Sequence, residues 1–310
     1  MSARIQHVSY RNLAWQSAAD LYLPADFDAQ KSYTAIVSTH PIGSCKEQTA
    51  GNVYAKGLAE AGFVVLAYDA SFQGQSEGEP RFIEDPALRV SDIRFAIDYL
   101  QSLPYVDAER IGAIGVCGGG AYTINAAMTD YRIKAVASIT GVNFGRLIRE
   151  GFSQFNPVAA LQAMAAQRTA EAKGAARHVI NYLPDSVEAG RAAGMTDIDV
   201  LEATDYYKTA RGQQPSGATS GLFSFNSAAM GWDAFQHAEV LLNQPLMVVI
   251  GDKPGAFGAY RDGWEIYGRA ASTHKEIVVA EGWSHYDLYD KPEPVALAMA
   301  RIIPFFQSHL

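Results

Sequence analysis

Six short, nearly unbroken apolar runs punctuate the chain: TAIVST (34–39), FVVLAY (63–68), RIGAIGV (110–116), IKAVASIT (133–140), PLMVVI (245–250) and KEIVVA (275–280). Their length and β-branched content predict strands buried on both faces, the habit of parallel sheets. Polar positions return between them at helical spacing. In PALRVSDIRFAIDYLQSL, Leu88, Ile93, Ala96, Ile97 and Leu100 fall on one face, and QTAGNVYAKGLAEAG reads as a second helix. Alternating strands and helices predict an α/β fold with a mostly parallel, doubly wound sheet and right-handed crossovers. Two further extended runs, Arg4–Tyr10 and Trp15–Leu23, predict an antiparallel N-terminal pair at the sheet edge.

The rhythm breaks after Gly141. From Asn143 to Gln244 no strong strand pattern occurs. NPVAALQAMAAQRTAEAKGAARHVINYL reads as one long Ala-rich helix, with DIDVLEATDYYKTA and SAAMGWDAFQHAEVLL as shorter ones and RGQQPSGATSG as a divider. The expected organisation is a core of residues 1–142 and 245–310 with a helical lid inserted at 143–244. Such an insertion sits above the C-terminal ends of the central strands, where open α/β sheets bind ligands.

Composition narrows the function classes. The 310 residues are 48% hydrophobic and 19% charged, as in ordinary soluble globular proteins, and the net charge is −8. That balance argues against a sequence-independent grip on nucleic acid. No run reaches the apolar length of a membrane span, and the opening residues lack a signal-peptide core. Two cysteines, Cys45 and Cys117, are too few for a disulfide framework and lack metal-ligand spacing. A cytoplasmic protein with reduced thiols, no metal and no cofactor is expected, and oligomeric state is not legible.

Chemistry concentrates where the third central strand ends, at GVCGG (115–119). A helix starting directly after that strand forces Cys117 into a strained corner, and residues two positions away on either side crowd the turn. Gly115 and Gly119 occupy those places. This spacing is a nucleophile elbow with Cys in place of the commoner Ser. The adjoining helix N-terminus and a paired histidine are expected to favour the thiolate.

Partners follow in the order nucleophile, acid, base. Asp252 stands just past PLMVVIG and His285 just past KEIVVAEG, so both fall at the sheet edge that carries Cys117. Of seven histidines, only His285 and His40 are placed to reach the elbow, and His40 is expected to brace its loop. The backbone N–H groups of Gly118 and Ile42 are the expected oxyanion donors. Phe72, Phe144, Tyr260, Trp283 and Tyr286, together with His40, are candidates for the pocket wall. Asp69 and QGQS read as a structural anchor, and Cys45 as a loop hydrophobe whose redox role is open.

The motifs HPIGSCKEQ, LAYDASFQGQSEGEPR, RVSDIRFAIDYLQSLPYVDAERIGAIGVCGGGAY, DYRIKAVASITG and SHYDLYD span nearly the whole chain. They resemble the α/β-hydrolases, in a bacterial branch related to dienelactone hydrolases and fungal polyketide thiohydrolases. The resemblance implies a Cys-His-Asp site, carried by Cys117, His285 and Asp252, acting on a small-molecule acyl substrate: an ester, thioester or lactone. One departure is that Ile42 and Cys45 stand where a more glycine-rich loop is usual, so the Ile42 side chain narrows the acyl site. Two alternatives remain at this point. An acyltransferase would use the same acyl-cysteine, and a non-catalytic binding protein would keep the fold alone.

Overall fold

The structure, a computed structural model, describes residues 2–151 and 155–310. Each apolar run forms a strand. In chain order these are β1 (Arg4–Asn12), β2 (Trp15–Leu23), β3 (Tyr33–Thr39), β4 (Val64–Tyr68), β5 (Val106–Val116), β6 (Ile133–Ile139), β7 (Val179–Asn181), β8 (Ser220–Leu222), β9 (Leu246–Lys253) and β10 (Lys275–Ser284). Eight of them make one sheet in the order β1-β2-β4-β3-β5-β6-β9-β10, and β7 and β8 make a separate ribbon. The N-terminal pair is antiparallel and lies at the edge, β2 joins β4 antiparallel, and the remaining pairings are parallel.

The two-residue period of a strand explains why these runs are apolar throughout. Val37, Leu66 and Ala113 face one layer, where Val90, Ile93, Ile97 and Leu100 of the helix Pro86–Ser102 pack on them. Their neighbours Ile36, Val65 and Ile114 face the other, against Leu58 and the C-terminal helix residues Ala298, Ile302 and Phe306. Each large aliphatic side chain buried this way contributes about 1.5–3 kcal/mol. Because β3, β5, β6, β9 and β10 run parallel, their C-terminal ends share one edge, and the residues after them meet there.

Between β6 and β9 the chain contributes helices and the β7–β8 ribbon but no strand of the main sheet, among the described residues. Two elements of this segment differ from the sequence reading. The long Ala-rich helix stops at Ala172, because Gly174 turns the chain at φ +97°, and residues 179–181 pair with β8 instead. That helix starts as caps dictate, with Asn156 accepting from the N–H of Val158 and Ala159 and Pro157 in the first turn. SAAMGWDAFQHAEVLL splits into Ser227–Met230 and Ala238–Leu241. Asp233 holds the intervening turn by accepting from Phe235 N (3.0 Å) and Asn143 Nδ2 (2.8 Å). The stretch after β3 also departs locally, with a π-helical turn at Thr49–Ala55 before a short α-helix. Among the described residues, no helix is long and apolar enough to cross a membrane.

Candidate active site

β5 ends at Val116, the helix Gly118–Thr129 begins two residues later, and Cys117 between them has φ 56° and ψ −128°. A non-glycine residue in such backbone costs about 1–3 kcal/mol, so the surroundings must enforce it. They do so sterically and through hydrogen bonds. A Cβ on Gly115 would lie 2.2 Å from the Gly119 carbonyl oxygen, and one on Gly119 would lie 2.3 Å from that of Thr39. Cys117 N–H donates to Ile139 O (3.0 Å), while its carbonyl accepts from Gly120 N (2.9 Å) and Val142 N (3.0 Å).

The thiol is 6% exposed. The backbone N–H groups of Gly118 and Ile42 and the phenol of Tyr289 are directed at it. These donors favour the thiolate, but burial outweighs them and pushes the Cys117 pKa up to about 11. The resting group is therefore a neutral thiol, contrary to the expected gain in thiolate from the helix N-terminus and a paired histidine.

His285 follows β10, is 3% exposed, and packs against the rings of Tyr286 and Phe257. Its Nε2 is 3.3 Å from the Tyr289 hydroxyl. The link between thiol and imidazole thus runs through Tyr289, four residues after His285 in the same turn. Ser284 and Asp287 fix that turn reciprocally: Ser284 N donates to Asp287 Oδ2 (3.0 Å), and Asp287 N donates to Ser284 Oγ (3.1 Å). Burial lowers the His285 pKa to about 3, so the ring is neutral.

Asp252 is not brought to His285. β9 continues past its apolar run to Lys253, so Asp252 is a strand residue rather than the start of a loop. Lys253 pairs with Ser284 and Gly251 with Ala280, which leaves an irregularity in β10. Asp252 is exposed, and its Oδ1 accepts from Gly282 N in that irregularity at 2.7 Å. A buried carboxylate that shares a void with His285 is Asp199, in the first turn of the helix Ile198–Lys208. Its Oδ2 accepts from Phe257 N (2.8 Å), and the helix cap Asp197 accepts from Ala256 N (2.9 Å), pinning this helix to the loop after β9. Asp199, His285 and Thr140 border a void of about 10 Å³, the room one water needs. Asp199 Oδ1, His285 Nδ1 and Thr140 Oγ1 are each buried without a hydrogen-bond partner. Burial raises the Asp199 pKa to about 7.

Cys117 stands in the wall of a cavity of about 440 Å³, whose described lining includes no charged side chain. Of the expected wall residues, Phe144 and Tyr286 line it, as does Ile42, expected as an oxyanion donor. Tyr260 instead borders the small void behind His285. Phe72 lies elsewhere, its ring 4.8 Å from that of Trp15, and Trp283 packs within the second face of the sheet. His40 is likewise outside the wall. Its Nε2 accepts from Ala70 N (3.0 Å), its Nδ1 donates to Pro41 O (2.6 Å), and Arg89 donates to its carbonyl (2.5 Å). Both ring nitrogens are thus spent on loop structure.

Cys45 is buried and free, and burial raises its pKa. It adjoins Glu47 and Asp69 in a grouping that already receives the Lys46 ammonium. Tyr289 was visible in the motif SHYDLYD at i+4 from His285, a spacing that flags a shared turn. Asp199 carried no local signal, because its approach depends on how the insertion docks.

Residues 22–180 match the sequence profile described as the dienelactone hydrolase family. The uncharacterized protein YcjY of Escherichia coli K12 is 38% identical over 314 residues, covering 100% of both chains. Thiohydrolase aneE of Aspergillus aculeatus is 35% identical over 108 residues, covering 34% of this chain and 33% of that one. The crystal structure of the hypothetical protein PA2218 from Pseudomonas aeruginosa superposes with a TM-score of 0.87 at 29% identity, covering 99% of this chain and 94% of that chain. The α/β-hydrolase GrgF from Penicillium sp. shares the fold at a TM-score of 0.78 and 19% identity, covering 99% of each chain.

Proposed function

Because the chain belongs to the dienelactone hydrolase family, with the α/β-hydrolase fold, we propose that it cleaves an activated acyl group through Cys117, with His285 as base and Asp199 as the supporting acid. The observation that carries this reading is the placement of Cys117: a strained corner in a cavity wall, with two backbone N–H groups turned toward its sulfur.

In the resting site the thiol proton points to the Tyr289 hydroxyl, and that hydroxyl donates to His285 Nε2. The remaining imidazole proton then sits on Nδ1, toward Asp199. As the sulfur bonds to the substrate carbonyl carbon, its proton passes through Tyr289 to His285, and the carbonyl π electrons move onto oxygen. The N–H groups of Gly118 and Ile42 receive that oxyanion; a single donor of this kind is worth about 3 kcal/mol of barrier. Asp199, as carboxylate, stabilises the imidazolium. Collapse expels the alcohol or thiol, which takes the proton back from His285. Water, deprotonated by the same ring, then releases the acid from the acyl-cysteine. Thioesters, esters and lactones suit this sulfur chemistry better than amides, because a thiolate leaves readily.

The segment 143–244 serves as a lid, supplying Phe144, Leu147 and Met164 to the wall. A reducing, cytoplasmic setting would keep both thiols free. The test is intact-mass spectrometry after mixing with activated acyl thioesters. An acyl adduct on Cys117, absent from Cys117→Ala, is expected. An adduct on Cys45 alone, or none, would sink the scheme. Product partition with an added alcohol separates hydrolysis from acyl transfer.

A further inference from the structure

The one carboxamide in the described cavity wall is left without a task by the chemistry above. Asn226 is 2% exposed, lines the same cavity as Cys117, and its Oδ1 has no hydrogen-bond partner among the described residues. It occupies the N-cap position of the helix Ser227–Met230, where asparagine ordinarily accepts from the next turn, yet its side chain makes no cap bond. A buried carbonyl oxygen with no donor costs free energy, so such a group calls for an explanation.

Two other polar groups of the wall, the Tyr182 and Tyr207 hydroxyls, are also buried without a hydrogen-bond partner among the described residues. Thr219 Oγ1 donates to Ala218 O (2.7 Å). The Tyr207 hydroxyl belongs to the reacting end, beside Tyr289 and Ser44. The Tyr182 hydroxyl packs over Gly221 and faces the Glu84–Arg89 pair. Around Asn226 the wall is hydrocarbon and thioether, including Phe223, Met164 and Met230.

We propose that the acyl chain taken up by Cys117 carries a hydroxyl partway along its length, which the Asn226 carboxamide reads. The inference rests on the acyl-cysteine reading and specifies its substrate class, a hydroxyacyl thioester or ester. A carboxamide both donates and accepts, and a hydroxyl is the smallest neutral group that does the same. A charged group would find no counter-charge in this wall, and a plain methylene would leave Oδ1 unpaired. The cavity's volume of about 440 Å³ is many times the room one water needs, enough to span several hydroxyl positions.

The test uses N-acetylcysteamine thioesters of one chain length in which a single hydroxyl is walked along the chain. kcat/KM and the rate of Cys117 adduct formation are both measured. One position, or two adjacent ones, should exceed the unsubstituted chain by ~10–100-fold, the range expected when a buried amide gains or lacks its partner. In Asn226→Leu and in Asn226→Ala the ratio of hydroxylated to plain chain should fall to about one, whatever either variant's rate on the plain chain. The positional profile of the unaltered enzyme is decisive even if both variants misfold. A flat profile with Cys117 acylated by every member overturns the hydroxyl subsite and leaves the acyl-cysteine reading standing. So does a preference that survives in Asn226→Leu. No Cys117 adduct from any member overturns both.

Discussion

Asp199 and Asp252 are both aspartates near the end of β9, but they meet opposite environments, and their substitutions should separate cleanly. Asp252→Asn alters an exposed carboxylate bonded to one backbone N–H and should change kcat/KM by no more than about twofold, as surface substitutions usually do. Asp199→Asn removes the carboxylate that shares a void with His285 in the proposed scheme and should lower kcat ~10²–10⁴-fold. Steady-state kinetics on the two variants decides between them; equal losses, or a larger loss at Asp252, would restore the sequence-based triad.

The same residue sets a pH dependence. Its pKa is raised to about 7, against about 3.9 in an unfolded chain, so Asp199 becomes a carboxylate only as pH climbs through about 7, and activity should rise over that limb. Asp199→Asn should erase the limb. The folded state holds the Asp199 proton more tightly, so the associated stability is complete below about pH 4 and is lost as pH rises through 7. His285 acts in the other direction. Its folded pKa, about 3, lies below the unfolded 6.5, so its contribution is lost as pH falls through that window. Asp199→Asn should therefore melt at a higher temperature than the parent at pH 8 while being far less active, a trade seen where a site holds a disfavoured charge.

The turn Asp287–Asp290 shows how a short element can carry more chemistry than its length suggests. It presents His285 and Tyr289 together because Ser284 and Asp287 lock its start. Tyr289→Phe keeps the ring and removes the hydroxyl between sulfur and imidazole. A drop in kcat of ~10–100-fold with little change in KM is expected, measured on the acylation step by single-turnover kinetics. An unchanged rate would mean that sulfur and imidazole meet directly.

Element by element, the central sheet was legible because burial on both faces writes itself as unbroken apolar runs, and the elbow because sterics allow little but glycine at 115 and 119. Asp252 lies on the strand and not on a loop because β9 outlasts its apolar run by two exposed residues, Asp252 and Lys253. The helix Pro157–Ala172 buries only Met164, so its composition advertised helix without announcing where Gly174 would end it. Asp199 was out of reach for a different reason. Its meeting with His285 spans some eighty residues and depends on docking, which no local pattern records.

At the scale of the molecule, docking of the insertion rests on charged tethers as much as on apolar contact. Arg146 binds Asp262 in a two-pronged pair (2.6 and 2.8 Å). Arg211 binds Asp290 (2.7 Å) and the Tyr286 carbonyl (2.8 Å), joining the insertion to the turn that bears His285. Arg211→Ala should cost about 1.5–3 kcal/mol of local stability, the worth of hydrogen bonds to charged groups. Amide exchange should quicken in residues 198–212 and 284–290 while β5 and β6 keep their protection. Uniform acceleration across the sheet would show that the insertion does not loosen as a unit.

Asp199 rides on the inserted segment, whereas Cys117 and His285 belong to the sheet. The segment that lines the cavity is therefore also the one that carries the carboxylate assigned to His285 in the proposed scheme. On the proposed scheme, exchanging this segment for that of a relative would change selectivity and competence in one stroke.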